Sequence, residues 1–235
     1  MKIISPALIE INGLQFYVRP ETSDFKAIKE VIIKNSYETR DFKILPNEKW
    51  LDFGAHIGAF TILALSKGAK VIAFEPSPDA VAILKDNLAL NNLTCNIFEV
   101  AVIAGTACQM PFYINSVYGN TWRNSVVKKY TRGQETIVQA INYRDWLEDN
   151  ICIKMDIEGS EFSILEDFPE DIKIKKLVFE ASFDIEPDLK RFWAIIEKLK
   201  RIFSHVKVAS RVPKDKDIWL QNWLPACQLI YCWNE

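Results

Sequence analysis

A chain of 235 residues, 49% hydrophobic and 26% charged, has the composition of a globular protein with one well-cored domain. Its formal net charge of −2 provides no global basic field to draw nucleic acid or anionic lipid. Five scattered cysteines without a CxxC pair, and only two histidines, argue against a disulfide framework and a zinc centre. No apolar run reaches the roughly 20 residues of a membrane span. The opening MKIISPALIEING lacks the apolar core and cleavage site of a signal peptide. We therefore expect reduced thiols in a cytoplasmic protein. The basic clusters KIKK (173–176) and KLKR (198–201) are expected to be solvated faces.

In chain order, ALIEINGLQFYV (7–18) places two short apolar runs around Asn12-Gly13, which predicts a hairpin. Residues 23–34 predict an amphipathic helix. Strand and helix then alternate. Strands are expected at 49–54, 70–75, 96–102, 109–114, 151–157, 176–183 and 205–210, with a closing apolar run at 227–233. Helices are expected at 58–67, 78–92, 160–168 and 188–203. Near-continuously apolar strands separated by helices imply a parallel sheet covered on both faces. The last two strands are joined without a convincing helix, which predicts an antiparallel hairpin at the end. The expectation is one α/β, doubly wound domain over 1–235, with an N-terminal hairpin and helix cap (1–46) on a core (47–235).

In such sheets, ligands sit at the carboxyl ends of strands, near the switch point. The stretch LDFGAHIGAFT (51–61) occupies that place. Gly54 permits a tight turn and Gly58 a helix start, where free N–H groups can receive an anionic group. A dinucleotide fingerprint would need glycines at 54, 56 and 59, whereas the chain has Gly54, His56 and Ala59. A histidine at the middle position crowds the approach of a pyrophosphate, which argues against NAD or FAD. A nucleoside cofactor without phosphates remains, S-adenosylmethionine being the obvious one. Glu75, 21 residues after Gly54 at the end of the next strand, suits the two ribose hydroxyls.

A second motif, IKMDIEGSE (153–161), clusters Asp156, Glu158 and Glu161 where a strand gives way to a helix. Together with LDFGAHIGAFT and AFEPSPDAVAILKDNLALNN, it resembles the FkbM-type S-adenosylmethionine-dependent methyltransferases, from about Tyr37 to about Glu180. The resemblance implies a Rossmann-like class I methyltransferase fold, with a seven-stranded, mostly parallel sheet ending in an antiparallel strand pair. It also implies O-methylation of hydroxyls on sugars and other natural products, with S-adenosylhomocysteine as product. Carried over, it puts Gly54, Ala55, His56 and Gly58 around the methionine part of the cofactor and Glu75 on the ribose, with Asp52 also among the cofactor-binding residues. Pro76 and Ser77 line the adenine side, with Ala101 near the ring. Glu38 would reach the cofactor's amino group. His56 stands where Asn is more usual in the family, and 116–135 matches little.

Methyl transfer to an alcohol calls for a base. Asp156 is the first candidate and Glu180 the second, with Lys154 and Glu158 completing the catalytic set. Carboxylates gathered at one mouth raise one another's pKa. The alternation in KMDI puts Lys154 and Asp156 on one side of the strand, so an ion pair between them is the simpler alternative. Glu158 would otherwise cap the next helix, and Glu161 would be solvated. Asp156 and Glu158 suit a hard cation if one is needed, but the resemblance does not require a metal. The polar, basic and aromatic excursion 116–136 predicts an acceptor loop. There Trp122 would stack on a sugar, with Arg123 and Asn124 reaching its hydroxyls. Trp219 and Trp223 would form the opposite wall or a contact in a homo-oligomer. The expected acceptor is a sugar or glycan. The rivals are an RNA ribose 2′-O-methyltransferase, disfavoured by charge, a small natural-product O-methyltransferase, a nicotinamide oxidoreductase and a non-catalytic nucleoside-binding module.

Overall fold

Asn12 and Gly13 both sit at positive φ, 53° and 78°, as a tight two-residue hairpin requires. They join β1 (Ala7–Ile11) to β2 (Leu14–Val18). The structure, a computed structural model, describes residues 6–115, 124–127, 133–183, 188–209 and 227–234. Helix α1 (Asp24–Ile28) passes into a π-helical turn over Lys29–Ile33. The expected single helix is therefore wound in two ways, and the Lys34 N–H reaches back five residues to Lys29 O at 3.0 Å.

The alternating core follows as β3 (Lys49–Phe53), α2 (Ala59–Ser66), β4 (Lys70–Phe74), α3 (Pro78–Leu90) and β5 (Asn96–Phe98). After two further residues comes β6 (Ala101–Ile103), then β7 (Cys108–Asn115) and, after the 116–132 stretch, β8 (Gly133–Asn142). The chain continues with β9 (Cys152–Met155), α4 (Glu161–Asp167), β10 (Lys176–Ser182), α5 (Leu189–Ile202), β11 (His205–Val208) and β12 (Cys227–Trp233). The seven-stranded sheet has the order β11-β12-β10-β9-β3-β4-β5. Its pairs are parallel except those of β12, which runs antiparallel to both β10 and β11. This is the doubly wound, Rossmann-like, mostly parallel seven-stranded sheet with an antiparallel final strand that the resemblance implied. Strand order reverses between β3 and β9, so the crevice for a ligand opens above those two strands.

Two expectations are corrected here. Residues 96–102 are not one strand. Only β5 joins the main sheet, and Ala101 opens β6, which pairs with β8 in a separate three-stranded sheet of order β6-β8-β7. The 116–136 excursion is not irregular to its end either, because β8 begins at Gly133 and pairs with β7.

Strand alternation distributes the core over two faces. Trp50, Val71, Cys152 and Val178 face α2, α3 and the N-terminal cap, while Leu51, Phe53, Ile153 and Phe179 face α4 and α5. Helix α2 is apolar on all sides because it is buried from Ala59 to Ala64. Helix α5 is one-sided, burying Phe192, Ile195, Ile196 and Leu199 at the 3–4 residue spacing of a single stripe. The KIKK cluster is not wholly solvated. Lys176 is buried and bonds Glu48 at 2.6 Å, and that carboxylate also lies 3.0 Å from Lys175.

Candidate cofactor and acceptor site

The β3–α2 loop is shaped by its glycines. Gly54 has φ +81°, and a Cβ there would stand 1.8 Å from the Asp156 carbonyl oxygen, so only glycine lets the β3 and β9 loops meet. Gly58, at φ +92°, is packed against α3 rather than the strand. A Cβ on it would lie 2.2 Å from Leu84 Cδ1. Between them His56 holds φ +50°, a left-handed conformation uncommon for a residue with a side chain.

Glu75 fixes this loop from the neighbouring strand end. Its Oε2 accepts the His56 N–H and its Oε1 the Ser77 N–H, each at 2.9 Å. Burial pushes its pKa up to about 7, against the two backbone bonds and Lys154, which pull it down. Each carboxylate oxygen has further acceptor capacity, which suits a vicinal diol. Ser77 is buried and caps α3, accepting the Ala80 N–H at 3.4 Å, so it does not line the cavity.

Register explains the next layer. Asp52 on β3 lies opposite Lys154 on β9, and Lys154 Nζ approaches Asp52 Oδ1 at 3.0 Å as an ion pair. The same ammonium donates to Gly54 O at 2.6 Å, and Thr61 donates to Asp52 Oδ2 at 2.5 Å. The expected Lys154–Asp156 pair is thus replaced by Lys154–Asp52. Burial would lower the Lys154 pKa, but Asp52 and then Asp156 raise it. Asp52 is fully buried and reaches the cavity only through Lys154. Glu38 is corrected likewise: it accepts the Ile44 N–H at 2.8 Å and pairs with Lys67 at 2.5 Å, bracing the cap away from the cavity.

At the carboxyl ends of β9 and β10 the acids converge. Tyr37 donates to Asp156 Oδ2 at 2.8 Å, a partner that no sequence spacing indicated. Burial first, then the charge of Asp156, holds the Tyr37 phenol protonated by raising its pKa well above the ordinary value. Glu180 is pushed to about 8 by burial and by Asp156, while a hydrogen bond from Cys227 pulls the other way. Glu158 does not cap α4. It takes φ +55° and lines the cavity, and Ser125 donates to its carbonyl at 2.5 Å. Glu161 is buried instead of solvated. It accepts the Ile157 and Gly159 N–H groups at 2.8 and 2.7 Å, and burial lifts its pKa to about 7.

These groups border one cavity of about 560 Å³, within the usual range for a small-molecule site. Gly54, Ala55, His56, Glu75, Pro76 and Ala101 line one part of it. Lys154, Asp156, Glu158, Glu180 and Asn124 line another. Phe74, Val100 and Val102 add an apolar wall suited to a flat ring. The cap supplies Lys26, Ala27, Glu30 and Val31 from α1 and its π-turn, and β12 supplies Cys227, Gln228 and Leu229. Trp122, Arg123, Trp219 and Trp223 lie outside the described residues. Among the described residues, no group of three or more His, Cys, Asp or Glu side chains is gathered to hold a metal ion. No described helix is long and apolar enough to cross a membrane.

The family model for the FkbM methyltransferase domain matches residues 52–203. The methyltransferase sdnD of Sordaria araneosa is 26% identical over 203 residues, 71% of this chain and 77% of that protein. A putative protein N5-glutamine methyltransferase of Methanocaldococcus jannaschii is 29% identical over 93 residues, covering 39% of this chain and 44% of that one. Among solved structures, M. jannaschii tRNA m1G37 methyltransferase has a TM-score of 0.46 at 15% identity, over 100% of this chain and 58% of that chain. The P. horikoshii TYW2 complex with MeSAdo has a TM-score of 0.47 at 13% identity, over 97% and 70%. This chain therefore spans less than two thirds of the N5-glutamine and tRNA m1G37 proteins.

Proposed function

The chain belongs to the FkbM methyltransferase family, and from that premise we propose that it methylates a hydroxyl group of a sugar or glycan. Its methyl donor is S-adenosylmethionine, which when bound supplies an electrophilic methyl carbon on a sulfonium. The observation that carries the hydroxyl reading is the pairing of Asp156 and Glu180 on the wall of one cavity. An alcohol must lose a proton as it attacks, and a positioned carboxylate is the group that takes it.

In this reading, Glu75 receives the ribose hydroxyls. The backbone of Gly54, Ala55 and His56 holds the methionine part, with Pro76 and Ala101 beside the adenine. Lys154 keeps the β3 and β9 loops in register through Gly54 O and Asp52. Asp156, steadied by Tyr37, accepts the acceptor's proton. Glu180, pushed up to about 8 by burial and by the Asp156 charge, is near the value at which a base works best around neutral pH. Asn124, Gln228 and the α1 wall orient the acceptor. Together these groups would hold the attacking oxygen in line with the methyl carbon of the bound donor.

The test is to incubate the protein with S-adenosylmethionine carrying a labelled methyl group and to offer glycans and RNA in parallel. A labelled methyl ether on a hydroxyl oxygen of the glycan is the expected result. Label on the RNA, or on nitrogen, would overturn the glycan assignment. Binding of S-adenosylhomocysteine with no transfer to any acceptor would leave a nucleoside-binding module.

A further inference from the structure

The cofactor loop is held from outside the sheet by a buried polar latch. Asp24, the first residue of α1, is fully buried. Arg19 grips it with Nε and Nη2 at 2.8 Å each and with its backbone N–H at 2.9 Å. The same two side chains meet His56. Asp24 Oδ1 and Arg19 Nη2 both lie 3.4 Å from His56 Nε2. Burial would raise the Asp24 carboxyl, but the hydrogen bonds and charge of Arg19 hold it below its ordinary value. Burial holds the imidazole neutral, with its pKa down to about 4.

His56 is the loop residue that most needs holding. Its left-handed φ of +50° is a conformation that persists only when the surroundings fix it. Glu75 fixes the backbone of His56 from inside the core, and the Arg19–Asp24 pair fixes its ring from the cap. Residues two and three positions beyond Asp24, Lys26 and Ala27, line the same cavity. One short helix thus touches both the cofactor loop and the cavity wall.

We propose that Asp24 and Arg19 are positioning residues for methyl-donor binding, acting through His56. They hold the β3–α2 loop in the shape that receives the cofactor, so the cap sets cofactor affinity without touching the cofactor. This inference rests on the reading that the Gly54–Gly58 loop and Glu75 hold the methyl donor.

The test is calorimetric titration of S-adenosylhomocysteine into Asp24→Asn, Arg19→Ala, His56→Ala, the double variant D24N/H56A and Glu75→Gln, each with its melting temperature. Asp24→Asn keeps the side-chain shape and serves if Arg19→Ala does not fold. Asp24→Asn and His56→Ala should each weaken binding by about tenfold, and the double variant should be no weaker than the poorer single, because contacting residues couple. A lower melting temperature with unchanged affinity in Asp24→Asn would reduce the latch to a structural ion pair and overturn the proposal. Additive losses in the double variant would overturn the route through His56. Unchanged affinity in Glu75→Gln would mean that the loop reading itself is wrong, a failure distinct from that of the latch.

Discussion

At the scale of single residues, Asp156 and Glu180 carry the chemistry we propose, both on the wall of one cavity. Asp156 extends from the β9 end with Tyr37 on one carboxylate oxygen. Glu180 rises to about 8 because burial and the neighbouring charge both favour its protonated form. We expect Asp156→Asn to lower turnover at least about tenfold, within the range a general base contributes, while leaving S-adenosylhomocysteine affinity nearly intact. Single-turnover assays beside calorimetry separate the two quantities, and unchanged turnover would move the base to Glu180. Glu180 works as a base only when deprotonated, so its contribution rises with pH through about 8. A Glu180→Gln variant should lose that rising limb from the pH–rate profile. A limb that survives the substitution would assign it to another group.

Secondary-structure elements are tied to the loop by side chains that reach across long sequence separations. Asn87, buried on α3, accepts the Tyr17 N–H at 2.5 Å and donates to Ile57 O at 2.9 Å. It thereby links β2, α3 and the β3–α2 loop at one point. Asn91, one helical turn on, accepts the Gln15 N–H at 2.9 Å and donates to Gln15 O at 2.7 Å, tying α3 to β2 a second time. Replacing Asn87 with Ala leaves a buried donor and acceptor unsatisfied, at a cost of about 2–3 kcal/mol. Denaturant unfolding should show that loss, with faster hydrogen exchange at Tyr17 than at β3 amides. Equal protection of Tyr17 in the wild type and the variant would detach Asn87 from the hairpin's stability.

The same element scale explains what the sequence made legible. Gly54, Gly58 and Glu75 could be read because glycine and acid at strand ends answer local geometric demands. The hairpin at Asn12-Gly13 was readable for the same reason, and the antiparallel final strands because no convincing helix joins them. Tyr37–Asp156 and Arg19–Asp24–His56 could not be read, since their members are brought together only by the fold. Asp52 and Glu38 carry the chemistry of ligand contacts, yet Lys154 and Lys67 claim them. The opening of β6 at Ala101 was hidden because an apolar run does not reveal which sheet it joins.

Over the whole molecule, buried acids make stability depend on pH. Glu75 and Glu161 are each raised from an ordinary 4.5 to about 7, chiefly by burial. Their protonated forms favour the folded state, so this stability is fully present below about 4.5 and is lost as pH rises through about 7. His56, lowered to about 4, acts in the opposite sense below 6.5, and Glu180 extends the decline to about 8. The net expectation for the ligand-free protein is a melting temperature that falls between about pH 5 and 8. Glu161→Gln, which can accept only one of the two N–H groups, should melt lower at pH 5 and show a flatter decline. A slope identical to wild type would mean that Glu161 is not protonated in the folded protein.

The central claim is that the crevice between β3 and β9 holds a methyl donor rather than a dinucleotide, and ligand-induced thermal stabilisation tests it most directly. S-adenosylhomocysteine at 100 times its Kd should stabilise the wild-type protein by about 2.7 kcal/mol and raise its melting temperature, while NAD at the same concentration leaves it unmoved. A shift with NAD and none with S-adenosylhomocysteine would contradict the account, because it would mean that His56 does not bar a pyrophosphate from the loop.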